Sequence, residues 1–209
     1  MINFKKDFVY DLFLQFINGE NQLFTYEGCG ISKLCFSFLE ESTMSYYVIK
    51  VEKTDYPELY YEYADMEYSN SPSDCDAGQV AEEILCYKRL LESHNKGIDL
   101  LAPIILEQSD PDRNFEVMVY CDSYNEGDDI SVEMRKSNNE LVDSLTEKSC
   151  EFYDYLSRSE VLTEDYILEI ETQLDALEEA DRYIFYDLHD GNVGYYNGKL
   201  VIIDYGYAY

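Results

Sequence analysis

The chain has 209 residues, 46% of them hydrophobic, with 44 acids against 15 bases and a formal net charge of −29. That length and apolar content suit one domain or two small lobes around a real core. The charge disfavours direct docking on DNA or RNA phosphates, where each contact needs a cation, and no run of 18 apolar residues marks a membrane-spanning helix.

Along the chain, Phe4, Phe8, Leu12 and Phe16 recur every fourth residue, which predicts a helix over 4–17 with those four side chains on its apolar face. Asn18-Gly19 is the expected C-cap. The opening residues mix lysines with acids and lack a small-residue cleavage site, so a signal peptide is not expected. Three strands follow at 22–27, 33–39 and 45–52, each dominated by aromatic and β-branched residues. Gly28-Cys29-Gly30 joins the first two. Residues 53–77 carry seven acids, one lysine and five tyrosines, and read as an acidic, tyrosine-rich insertion. Tyr60, Tyr61 and Tyr63 are expected to pack on a neighbouring surface.

A helix over 78–93 is expected to bury Val80, Ile84, Leu85, Tyr87, Leu90 and Leu91, with His94 as a terminal cap. Strands at 100–107 and 115–120, separated by a Ser-Asp-Pro-Asp-Arg-Asn turn, complete a five-stranded sheet. After Cys121 comes a polar linker, then helices at 130–136, 140–156 and 163–181, the last N-capped by Thr163. Asn197-Gly198 joins two short strands at 193–196 and 200–203 as a hairpin turn. The organisation is α+β, with a strand-rich half over 1–120 and a reduced, mostly helical half over 121–209. Cys29, Cys35, Cys75, Cys86, Cys121 and Cys150 form no Cys-x-x-Cys pair, which suits small apolar thiols of a reduced, cytoplasmic protein. Two histidines outside ligand spacing speak against a zinc site.

Chemistry concentrates near the C-terminal end of the sequence. Asp187 is followed five residues later by Asn192, and Asp204 follows twelve after that, opening Asp-Tyr-Gly behind the apolar run 200–203. A phosphoryl-transfer site needs a carboxylate to accept a hydroxyl proton and oxygen side chains to hold Mg²⁺ against triphosphate oxygens. Upstream, Val48-Ile49-Lys50 puts a lysine at the end of the third strand, Glu82 and Glu83 sit on the next helix, and Met118-Val119-Tyr120-Cys121 leads into the linker. Each alone has a plain structural reading: a surface lysine, a solvated helix acid, an Asx-rich turn, a strand end. Their joint order and spacing carry the signal.

In that order and spacing the chain resembles the protein-kinase-like superfamily over roughly residues 20–209. Its Asp187-Leu188-His189 loop is closer in style to aminoglycoside phosphotransferases and small atypical kinases. The resemblance implies a two-lobed fold and a set of roles. Lys50 would hold the α- and β-phosphates of ATP, and Glu83 would pair with it, with Glu82 as the alternative. Asp187 would orient or deprotonate the acceptor hydroxyl, and Asn192 and Asp204 would bind Mg²⁺. Gly28 and Gly30 would admit backbone amides to the phosphates, and Val119 to Cys121 would bind adenine through the backbone. His189 would support the loop.

The sequence departs from the pattern in four places. Phe185 stands where a histidine is usual, the glycine-rich loop is shortened with Ile31-Ser32 where a third glycine falls, and the acidic insertion separates Lys50 from Glu83. The sequence also ends three residues after Gly206, so an activation segment and the peptide-docking helices are expected to be missing.

Two functions compete. One is a minimal Mg·ATP-dependent phosphotransferase of unknown acceptor. The other is a catalytically inactive, kinase-like acidic protein, a decoy or nucleic-acid mimic that binds a basic host protein, in keeping with a phage or viral origin and a host-cytoplasmic location. The charge favours the second, because residues 105–181 alone hold 23 acids and 5 bases, a net of −18. Solubility is the plainer account of such charge. A third reading is a regulatory subunit that binds ATP without turnover. Neither nucleic acid nor membrane is an expected partner.

Overall fold

The computed structural model describes residues 7–30, 32–41, 43–64, 71–75, 77–123, 136, 162–180 and 192–205. The described residues form an α+β protein that divides into two compact units. The first takes the residues up to Lys88 together with Pro103–Tyr120, the second Arg89–Ala102 and the residues from Cys121 onward.

The first unit is built on an antiparallel sheet of four strands in chain order: β1 (Phe24–Cys29), β2 (Lys33–Glu40), β3 (Ser45–Glu52) and β4 (Phe115–Val119). Side chains alternate across a strand, and directly opposed residues share a face. The register therefore sorts the sheet into two unlike faces. One carries Leu34–Val51–Phe115, Phe36–Ile49–Val117 and Phe38–Tyr47–Val119 as opposed sets, all buried. The other carries Lys33–Glu52, Cys35–Lys50–Glu116 and Ser37–Val48–Met118.

The apolar face is covered by α1 (Phe8–Ile17) and α2 (Pro57–Tyr63), which bury Val9, Phe13, Leu59 and Tyr60 in one cluster with it. Phe13 lies at its centre, with ring centroids 5.4–5.7 Å from those of Phe24, Phe36, Tyr56 and Phe115. Such aromatic sets add offset and edge-on attraction to the area they bury. The expected α1 face needs correcting: Phe8 is exposed, Leu12 and Phe16 are half-buried, and Val9 with Phe13 points inward. Phe4 lies outside the described residues. Asn18 closes α1 and Gly19 follows at φ 73°. The start of the acidic insertion is helical. Tyr60 is buried in the core, Tyr63 stacks on Phe16 and Tyr26, and Tyr61 is exposed, against the expectation that all three pack.

Helix α3 (Gln79–Glu92) buries Val80, Glu83, Ile84, Cys86, Tyr87 and Leu90 but leaves Leu85 and Leu91 exposed, which corrects its expected face. His94 adopts a left-handed φ of 53° and donates its N–H to the Leu91 carbonyl at 3.1 Å. The expected strand over 100–107 does not form. Leu101 and Ile104 make isolated bridges only, and Pro103, with no N–H to give a ladder, lies between them. The sheet accordingly has four strands rather than five.

In the second unit, α4 (Glu164–Ala180) begins at Thr163, whose Oγ1 accepts from Tyr166 N–H at 3.3 Å. It buries Ile170, Gln173, Leu174 and Leu177, one stripe at helical spacing. A small antiparallel sheet joins β5 (Asp122–Ser123), β6 (Val193–Tyr196) and β7 (Lys199–Ile202). Asn197 and Gly198, at φ 53° and 74°, make the hairpin turn that requires left-handed backbone at both positions. The expected polar linker after Cys121 thus contributes a strand. The expected helices at 130–136 and 140–156 lie outside the described residues, apart from helical Lys136. Among the described residues no helix is long and apolar enough to cross a membrane, and the five described cysteines are free thiols.

Candidate functional site

The second face of the four-stranded sheet carries charge and yet is closed to water. Lys33 and Lys50 are each 4% exposed, and Glu52, Glu83 and Glu116 are 0% exposed. Alternation places Lys50 on this face of β3, opposite Cys35 of β2 and Glu116 of β4. α3 supplies Glu83, one turn into the helix and flanked by buried Val80, Ile84 and Tyr87, which fix the rotation that turns it inward.

Lys50 Nζ donates to Glu83 Oε1 at 2.6 Å, and Glu116 Oε1 lies 3.4 Å from the same ammonium. The pairing expected of Lys50 is therefore with Glu83. Glu82, the alternative, is half-buried. Lys33 Nζ donates to the other oxygen, Glu83 Oε2, at 2.9 Å. One carboxylate thus holds two ammoniums, one on each oxygen. Lys33 and Glu116 were not legible as site residues. The signal available was a charge inside an apolar alternation: Glu116 between Phe115 and Val117, and Lys33 in phase with Cys35 and Ser37.

Glu52 closes the group from another side. Its Oε1 accepts from Val80 N–H at 2.7 Å, satisfying one of the orphan donors at the start of α3. Burial pushes its carboxyl above the ordinary range, while the Val80 N–H and the charge of Lys33 pull the other way. Burying five ionisable groups is expensive, and a buried pair rarely adds stability over an apolar replacement. Such a cluster is therefore a candidate for function rather than for scaffolding.

Gly28 stands at a bulge in β1 with φ 156°, and Gly30 donates its N–H to the Lys33 carbonyl at 3.0 Å to close the turn into β2. Among the described residues, a Cβ on either glycine would meet no atom within 4 Å. Val119 N–H donates to Pro103 and Tyr120 N–H to Tyr46, at 3.1 and 3.2 Å. Adenine would have to meet this segment through other backbone groups.

In the second unit, Asn192 immediately precedes β6 and is 7% exposed, and its carbonyl accepts from Ile203 N–H at 2.9 Å. Half-buried Asp204 follows Ile203, so the β6–β7 hairpin brings Asn192 and Asp204 to one end. Tyr205, 2% exposed, anchors that end through a 3.0 Å hydrogen bond from its hydroxyl to the Ala102 carbonyl. One amide and one carboxylate fit Mg²⁺, which takes few protein ligands and completes its shell with water and phosphate oxygens. Among the described residues no group of three or more His, Cys, Asp or Glu side chains is arranged to hold a metal ion without such help. Cys121 is half-buried. Asp187 and His189 lie outside the described residues. No protein-family model, no curated protein and no solved structure matches this chain.

Proposed function

We propose that the chain is a minimal phosphotransferase of protein-kinase-like, two-lobed fold, moving the γ-phosphoryl group of Mg·ATP to a hydroxyl acceptor. The observation that carries this reading is the buried Lys50–Glu83 pair, 2.6 Å between a strand lysine and a helix glutamate that share no nearby sequence. Lys50, fixed by Glu83, binds the α- and β-phosphates, and the Gly28–Gly30 turn, whose Gly30 N–H is given to Lys33, lets backbone approach them closely. Asn192 and Asp204 hold Mg²⁺, which when bound neutralises developing charge on the phosphate oxygens. Asp187 accepts the acceptor's hydroxyl proton as the new oxygen–phosphorus bond forms and the bond to the β-phosphate oxygen breaks. Transfer of label from γ-labelled ATP, to water or to an added hydroxyl acceptor, is expected in the parent and lost at least about 100-fold in Asp187→Ala. Undiminished transfer by that variant contradicts the assignment.

The net charge of −29 favours a second reading, in which the same scaffold is an acidic binding protein for a basic partner. Salt-sensitive capture of one purified basic protein, with no nucleotide binding, would establish it in place of the first.

A further inference from the structure

Each lysine of the buried face already has an acid opposite it across the sheet: Glu52 opposite Lys33, and Glu116 opposite Lys50. Charge balance therefore does not require a third carboxylate. What Glu83 adds is convergence, because its two oxygens draw the two ammoniums side by side, at 2.9 and 2.6 Å. Two adjacent ammoniums are the complement of an anion with several acceptor oxygens. Lys33 also opens β2 directly after the Gly30 turn, where a Cβ on Gly30 would meet no atom of the described residues within 4 Å. In the same turn the Ser32 hydroxyl is buried and has no hydrogen-bond partner among the described residues, which leaves one more donor for a ligand.

We propose that Lys33 is a second phosphate-binding cation, so that Lys33 and Lys50, clamped by Glu83, grip a polyphosphate together. The anion's identity as a nucleotide rests on the phosphotransferase reading; the clamp itself does not. The arrangement predicts that Lys50 is not the sole cation of the site and that its removal alone leaves residual binding.

Titration calorimetry with inorganic tripolyphosphate, and separately with Mg·ATP, tests this on the full chain. The parent is expected to bind tripolyphosphate. Lys33→Gln and Lys50→Gln are each expected to weaken it by about 10- to 100-fold, the loss of one charged hydrogen bond. The double variant is expected to show no measurable binding, and Lys33→Arg to retain most of the parent's. In the unsubstituted protein, tripolyphosphate is expected to shift the ¹⁵N resonance of the Lys33 Nζ, which tests the contact at a buried amine without relying on a folded variant. Parent-level binding by folded Lys33→Gln, or a Lys33 Nζ resonance unmoved when tripolyphosphate binds, overturns the proposal and leaves Lys33 a structural counter-ion. Lys33-dependent binding of tripolyphosphate without binding of Mg·ATP upholds the clamp and overturns the nucleotide reading. Failure of the parent to bind either overturns both.

Discussion

Glu52 shows how a single buried carboxyl couples the sheet to α3. Its Oε1 holds Val80 N–H, and its burial raises the carboxyl's pKa above the ordinary 4.5. A carboxyl raised on folding stabilises the fold most below its unfolded pKa, and loses that contribution as pH climbs through the folded value. Glu52→Gln keeps an oxygen for Val80 without the charge. Relative to the parent, the variant should gain stability as pH climbs above the ordinary carboxyl value of 4.5, read as the difference in urea midpoints. A difference that is constant or shrinks over that range contradicts burial as the dominant influence on Glu52. At the same scale, Glu83 is the hub that Lys33 and Lys50 share, and the resemblance alone supplies a role for only one of those lysines.

Among the elements, α4 and the 3₁₀ turn Lys96–Leu100 are packed with no spare room. A Cβ on Gly97 would lie 2.3 Å from Leu177 Cγ and 2.5 Å from the Gln173 carbonyl oxygen. Asn95 ties the same contact through a 2.8 Å bond from Nδ2 to the Ala176 carbonyl. Because the blocking atoms include helix backbone, Gly97→Ala should cost about 1–3 kcal/mol of unfolding free energy, measured by urea titration. A change within about 0.5 kcal/mol contradicts that packing.

The strands were legible in the sequence where alternation was long: β2 and β3 run eight residues each, and their expected limits fall within one residue of those observed. The hairpin at Asn197-Gly198 and the Thr163 cap were legible because their chemistry is local. The stretch 100–107 misled because apolar content without a free N–H at Pro103 imitates a strand. The face of α1 misled because a row spaced by four residues drifts around a helix that repeats every 3.6, so Val9 and Phe13 took the core instead of Phe8. β5 was hidden by its length of two residues. Of the candidate site, Lys50 and Glu83 were legible through the motif order. Lys33 and Glu116 were not, because a charge on a buried face can be recognised only once strand register assigns it a partner.

On the scale of the whole molecule, 29 uncompensated negative charges must repel one another at low ionic strength. Raising NaCl from about 10 to about 300 mM cuts the screening length several-fold and should raise the unfolding midpoint by a few degrees. A flat or falling midpoint would mean that local ion pairs outweigh the net repulsion. The same charge bears on the proposed nucleotide binding, since a triphosphate approaching this surface needs cations, and Lys33, Lys50 and Mg²⁺ are the ones proposed.

The most direct measurement is thermal unfolding with and without Mg·ATP, for the parent and for Asp204→Ala. At about 100 times its dissociation constant a ligand adds roughly 2.7 kcal/mol, a midpoint rise of roughly 5–10 °C for a chain of this size. A Mg²⁺-dependent rise is expected in the parent and is expected to be lost in Asp204→Ala. No rise in the parent at about 5 mM Mg·ATP, well above ordinary enzyme affinities for substrate, would contradict the phosphotransferase reading and shift the function to the acidic surface.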